Sequence, residues 1–170
     1  MTSLRLEAPT DLARIRQVHI DAFGRSAEAD LVDALRRQGQ ITLSLVAEAE
    51  QGIVGHAVFS PVTIMPTVPG LRMLGLGPVA VQPGFQFDGI GSNLIEQGTD
   101  VARVLGYQAV VVLGSPVCYG RSGFVPAIRF GLTCEFNAPV DSFMVIELEP
   151  GTLGGWSNRV VRYQPEFWNL

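Results

Sequence analysis

Any chemistry in this chain rests on few reactive side chains. It has two histidines, His19 and His56, and two cysteines, Cys118 and Cys134, while all twelve of its basic residues are arginine. The absence of lysine removes Schiff-base chemistry, pyridoxal-phosphate catalysis and a phosphate-loop lysine. Four scattered soft ligands make neither a zinc site nor a disulfide framework, so no metal is expected and both thiols should be free. Cys118 has no base that the sequence places beside it. His56 falls within a strand and His19 on a helix face, where both read as packing residues. Two glycine patterns remain. Gly75-Leu76-Gly77-Pro78-Val79-Ala80 spells a dinucleotide fingerprint but opens no helix and contains Pro78, so it marks a β-bulge instead. Gln86-Phe87-Asp88-Gly89-Ile90-Gly91-Ser92 follows a strand and opens a long helix. Glycines there let backbone approach an anion, and the free N–H groups of the first turn point at it. The loop reads either as a pyrophosphate cradle or as a plain helix start.

The elements that position these residues follow from periodicity. Pro9-Thr10-Asp11 starts a helix in which Leu12, Ile15, His19 and Phe23 share a face. A second helix covers Glu28 to Gln38 and stops at Gly39. Thr42 to Ala47 and Ile53 to Ile64 form a hairpin, and Met73 to Val81 is the next strand. Gly89 to Leu105 is a helix with Ile90, Leu94, Ile95, Val101, Ala102 and Leu105 on its apolar stripe. Tyr107 to Leu113 is nearly all apolar, as expected of a strand buried on both faces and parallel to its neighbour. Ser115-Pro116 is a helix cap followed by proline in the first turn, so a short helix runs from there to Gly120. Leu132 to Phe136 and Ser142 to Leu148 would complete the sheet.

On these residues the chain resembles the GNAT N-acetyltransferase superfamily. Gly77-Pro-Val-Ala-Val81 followed by Gln86-x-x-Gly89-x-Gly91-Ser-x-Leu94 is similar to its motif A, in which Q/R-x-x-G-x-G/A binds the pyrophosphate of acetyl-CoA. Leu113-Gly-Ser-Pro-Val-Cys-Tyr119-Gly-Arg-Ser-Gly-Phe124 resembles the strand and helix that follow, where many members carry a tyrosine. The resemblance spans roughly Leu4 to Leu148. It implies an α/β GNAT fold, with a mixed, mostly antiparallel sheet of six or seven strands that splays at its central parallel pair.

The resemblance also implies site roles. Val79, Ala80 and Val81 would offer a strand edge to the pantetheine arm and a backbone N–H to the thioester carbonyl. The backbone of Gln86, Phe87, Asp88, Gly89, Ile90 and Gly91, with Ser92 and Ser115, would complete the cofactor contacts. Phe87 and Asp88 stand where members commonly carry small or basic residues. Tyr119 would lie near the sulfur and protonate the leaving thiolate. Glu28 is the leading side chain for a general base, because its region often borders the acceptor cleft, and Glu48 is second. The implied reaction is direct transfer of an acetyl or short acyl group from acetyl-CoA to a primary amine of a small molecule or peptide. A non-catalytic acyl-CoA-binding module is the alternative.

Composition bounds the rest. The 170 residues suit one domain, with 1–150 as the acetyltransferase unit and 151–170 as a tail whose aromatics pack back on it. A net charge of −4 offers no footprint for nucleic acid, including charged tRNA. Mean hydropathy is +0.27, yet the uncharged stretch Gln51 to Leu71 carries three prolines and cannot span a membrane as a helix. Without an apolar leader near the N-terminus, the expected location is the cytoplasm. Either a monomer or a homodimer is compatible with this composition. The acceptor should be set by the first two helices, the Thr63 to Arg72 loop and the tail.

Overall fold

Charge is concentrated at the start of this chain, and burial follows that gradient. In the computed structural model, which describes residues 1–155 and 158–170, amphipathic helices cover an apolar sheet. The strands are β1 (Ser3–Leu6), β2 (Leu43–Ala49), β3 (Gly52–Met65), β4 (Met73–Val81), β5 (Ala109–Leu113), β6 (Val125–Pro126), β7 (Leu132–Cys134), β8 (Phe143–Glu147) and β9 (Arg159–Arg162). The helices are α1 (Leu12–Phe23), α2 (Ala27–Arg37), α3 (Ile90–Val104) and α4 (Pro116–Gly120). The sheet runs β1-β2-β3-β4-β5-β8-β6, with β4 and β5 as its one parallel pair. These elements match the expected mixed, mostly antiparallel architecture.

Side chains alternate across the strands, so each strand serves two layers. On one face, Leu45 and Ala47 of β2 and Phe59 of β3 pack with Ile90, Leu94 and Ile95 of α3. Burying each large aliphatic side chain stabilises the fold by about 1.5–3 kcal/mol. On the other face, Ile15 and Val18 of α1 and Val32 of α2 meet Val46 and Val58. The α3 stripe ends earlier than expected. Ala102 is its last fully buried residue, whereas Leu105 lies beyond the helix and is 47% exposed.

The parts beyond the β4-α3-β5 crossover differ more from expectation. β7 is not in the main run of the sheet; it pairs in parallel with β9, a tail strand that the sequence analysis missed. β9 in turn pairs with Thr63–Met65 of β3, beyond the stretch of β3 that β4 occupies. The physical reason is the length of β3, whose fourteen residues outrun both neighbouring hairpin partners and leave a free edge. Tail residues Val161, Tyr163 and Phe167 then join Leu31 and Leu35 of α2 in a shared core. Trp156, another tail aromatic, lies outside the described residues.

Candidate active site

The bulge expected around Gly77-Pro78 is present and opens the sheet. Ala57 opposes Val79 and Phe59 opposes Leu76, so two residues of β4 face the single Val58. Pairing between β4 and β5 stops at the same place, at Leu76 and Val112. From Gly77 onward β4 therefore has one partner and one open edge. The Gln82 N–H donates to Val54 C=O at 2.8 Å, which makes 54/82 and 56/80 hydrogen-bonded pairs. Ala80 consequently turns its backbone to β3, and Val79 and Val81 turn theirs to the open edge. The sequence analysis grouped all three, but strand alternation withdraws the Ala80 N–H from a ligand on that edge.

The turn after β4 is held in place from α1. Arg14 donates to Ile53 C=O at 2.9 Å and to Gln82 Oε1 at 3.0 Å, and Gln82 Nε2 donates to Asp21 at 2.7 Å. Gln86 folds back instead of reaching outward, donating to Val81 C=O at 3.0 Å. Phe87 is fully exposed and, with φ at 67°, adopts the left-handed region that non-glycine residues seldom occupy. Gly89 caps α3 at φ 82°, and its C=O receives the Asn93 N–H at 2.9 Å. The backbone N–H groups of Ile90, Gly91 and Ser92 precede that first helical bond and have no partner within the helix. A side chain at Gly91 would meet only Val81.

At the other side of the opening lies a cavity of about 580 Å³. Its floor is the bulge, Leu76 to Val79, and its walls come from α1, α2, α4 and the tail. Tyr119 lines it, with its ring edge against Phe124 at 5.9 Å between centroids. The ring also lies directly over Gly114, where any Cβ would collide with it. Burial raises the Tyr119 pKa above its ordinary value, so the hydroxyl keeps its proton at neutral pH. Ser115 occupies the helix-cap position, but its hydroxyl makes no capping bond and its C=O receives the N–H groups of Cys118 and Tyr119.

Glu28 lines the same cavity and is only 5% exposed. Its two carboxylate oxygens accept hydrogen bonds from Arg25, which hold its pKa below the usual carboxylate value against the opposing effect of burial. Glu48 is elsewhere, paired with Arg5 at 2.8 Å on the β2 side of the sheet. The loop from Thr63 to Arg72 does not line this cavity either. It borders a smaller one of about 160 Å³ with Met73. Phe23, expected on the buried stripe of α1, is 41% exposed because it faces the cavity.

The tail aromatics, which the sequence analysis expected to pack back on the domain without saying where, meet Phe136 of the segment after β7 at this cavity. Phe136, Tyr163, Phe167 and Trp168 line the cavity, with Phe136 and Trp168 centroids 4.6 Å apart. Tyr163 lies against Gly75, where a Cβ would approach its ring to 2.6 Å. A bare glycine facing an aromatic is the signal that could have found the pair, but it appears only once β9 is placed.

Residues 12–124 match the acetyltransferase (GNAT) family. The chain belongs to that family. It is 34% identical over 165 residues to the uncharacterized N-acetyltransferase YhbS of Escherichia coli K12, covering 96% of this chain and 97% of the relative. Over 119 residues it is 40% identical to the uncharacterized N-acetyltransferase YjhQ of the same organism, covering 69% and 66%. Among solved structures, YhbS of E. coli in complex with CoA superposes with a TM-score of 0.92, covering 98% of this chain and 91% of that one. A GNAT acetyltransferase from Brucella melitensis in complex with acetyl-CoA gives 0.79 at 35% identity, covering 98% of each. The matched segment takes in the β4-α3-β5-α4 stretch of this GNAT acetyltransferase, and the tail lies outside it.

Proposed function

We propose that this GNAT acetyltransferase moves an acetyl or short acyl group from acetyl-CoA to a primary amine, by direct attack of the amine on the thioester. The observation that carries the reading is the open β4 edge at Val79 and Val81, flanked by the α3 N-terminus on one side and Tyr119 on the other. The complexes of the two relatives with CoA and acetyl-CoA support it. Acetyl-CoA supplies a thioester whose acyl carbon bonds to the amine nitrogen as its bond to sulfur breaks.

The chain's own residues have separable tasks. The backbone groups of Val79 and the Val81 N–H bind pantetheine as an added strand would be bound, and the Val79 N–H polarises the thioester carbonyl. The N–H groups of Ile90, Gly91 and Ser92, with the turn at Gln86 to Gly89, receive the pyrophosphate at the positive end of α3. Tyr119 donates to the sulfur as negative charge develops there, giving up its proton with the thiol and regaining it from solvent. Glu28 attracts the incoming ammonium. Its lowered pKa makes it a weak proton acceptor, so the proton lost by the amine passes to water. Cys118 and Cys134 are free thiols, in keeping with a reducing cytoplasm.

The test is release of free thiol from acetyl-CoA upon addition of primary amines, with the acetylated amine identified by mass. Amine-dependent release with a one-to-one product supports transfer. Saturable acetyl-CoA binding without release across a broad amine panel replaces it with a non-catalytic acyl-CoA-binding module.

A further inference from the structure

The transfer reaction proposed above leaves its acceptor unnamed, and the cavity beside Tyr119 narrows the choice. Of its described lining side chains, Glu28 is the one that carries charge at neutral pH, and Arg25, its partner, is not among them. The surface opposite is aromatic. Phe23 comes from α1, Phe136 from the segment after β7, and Phe167 and Trp168 from the tail. The tail aromatics are braced against one another, with Tyr163 and Phe167 centroids 5.0 Å apart and Phe136 and Tyr163 centroids 5.7 Å apart. Trp168 contributes a surface that is 59% exposed, available to whatever enters.

A carboxylate acceptor is disfavoured by this arrangement. It would bring a second negative charge toward a buried carboxylate whose described cationic partner, Arg25, is already taken up by both of its oxygens and does not line the cavity. A long polyamine is disfavoured for the opposite reason, since its distal ammonium groups would lie against aromatic side chains with only one anion for all of them. A single ammonium attached to an apolar body matches both ends. The charge meets Glu28, aromatic faces add cation–π attraction nearby, and the body displaces water from the aromatic wall. The Tyr163 hydroxyl adds one further detail. It is buried, has no hydrogen-bond partner among the described residues, and belongs to a cavity-lining ring. Burial raises its pKa, so it stays protonated and adds no second negative charge beside the wall.

We infer that the acceptor is a compact primary amine with one ammonium group on an aromatic or bulky aliphatic body and no carboxylate, held by Glu28 and the Phe23, Phe136, Phe167 and Trp168 wall. The inference rests on the acetyl-CoA reading, so its test separates the two.

Acetyl-CoA binding is measured first by calorimetry. Turnover is then compared for 2-phenylethylamine, phenylalanine and spermidine. The arylalkylamine is expected to exceed both others in kcat/KM by at least about tenfold, the scale of one unfavourable charge at a partly desolvated site. Glu28→Gln should raise its KM about tenfold while leaving the acetyl-CoA Kd unchanged. Equal or better turnover of phenylalanine or spermidine overturns the inference, as does an unchanged KM in Glu28→Gln. If acetyl-CoA fails to bind, the transferase reading fails by itself. The amine inference is then decided by tryptophan fluorescence: 2-phenylethylamine should shift a signal that Trp168→Phe removes, and no such shift overturns it.

Discussion

Tyr119 owes its position to a neighbour with no side chain. Its ring lies over Gly114, and its buried hydroxyl keeps its proton at neutral pH. Tyr119→Phe should slow turnover about 10²-fold with little change in acetyl-CoA binding, as expected for loss of a proton donor that acts late in the reaction. Steady-state kinetics beside calorimetry would check this, and unchanged kcat with chemistry rate-limiting would remove Tyr119 from the mechanism. Gly114→Ala should reach a similar loss by another route, because its new methyl group must displace the ring. Its acetyl-CoA Kd should stay near that of the unaltered chain, so a large change in Kd would show that Gly114 serves the cofactor instead. Glu28 works at the same scale by charge. Its bidentate contact with Arg25 keeps the carboxylate ionised and available to a cation.

At the scale of elements, the opening depends on β4 changing partners along its length. Met73 to Leu76 has β5 on one side and β3 on the other, whereas Gly77 to Val81 keeps only β3. Gly89 then turns the chain into α3 with φ at 82°, a conformation that costs a residue with a Cβ about 1–2 kcal/mol. A Cβ there has open space, so Gly89→Ala should lose about that much stability in urea denaturation without a steric defect. A loss several times larger would reveal a packing role. This stretch was legible in the sequence because its local signals agree. An apolar run, glycine punctuation and helical periodicity from Met73 to Leu113 all point to strand, turn, helix and strand. The tail was not. β9 has four residues, two of them arginine, and pairs with β3 nearly a hundred positions away. Nothing local specifies such a pairing, and it is what gathers the aromatic wall. The buried contact of His19 Nε2 with His56 Nδ1 at 2.8 Å was likewise invisible, since the residues come from α1 and β3.

For the molecule as a whole, that histidine pair sets a limit on acid stability. Both rings are fully buried, and His56 also contacts the Ser44 hydroxyl at 2.7 Å. Burial lowers the His19 pKa to about 4 and carries His56 well below its ordinary value. Below the unfolded value near 6.5 the unfolded chain binds protons that the folded chain refuses, so stability falls as pH drops from about 6.5 toward about 4. The Asp11 carboxylate, lowered chiefly by Arg5, adds its own loss only at more acidic pH. Urea midpoints measured between pH 7.5 and 4.5 should decline accordingly, and a flat profile would contradict the neutral buried pair. The tail is equally a whole-molecule feature. It closes a core with α2, covers the far end of β3 and supplies one wall of the cavity. Removing residues 158–170 should therefore lower the melting temperature and weaken amine binding together. A truncated chain as stable as the full one would show that the tail is an accessory. The central claim is the donor site at the open β4 edge and the α3 N-terminus, so the most direct measurement is calorimetric titration of folded, CoA-free protein with acetyl-CoA, beside 3′-dephospho-CoA. One saturable site of micromolar affinity is the predicted result; no binding to protein shown to be folded would contradict the assignment of the open β4 edge and the α3 N-terminus to acetyl-CoA.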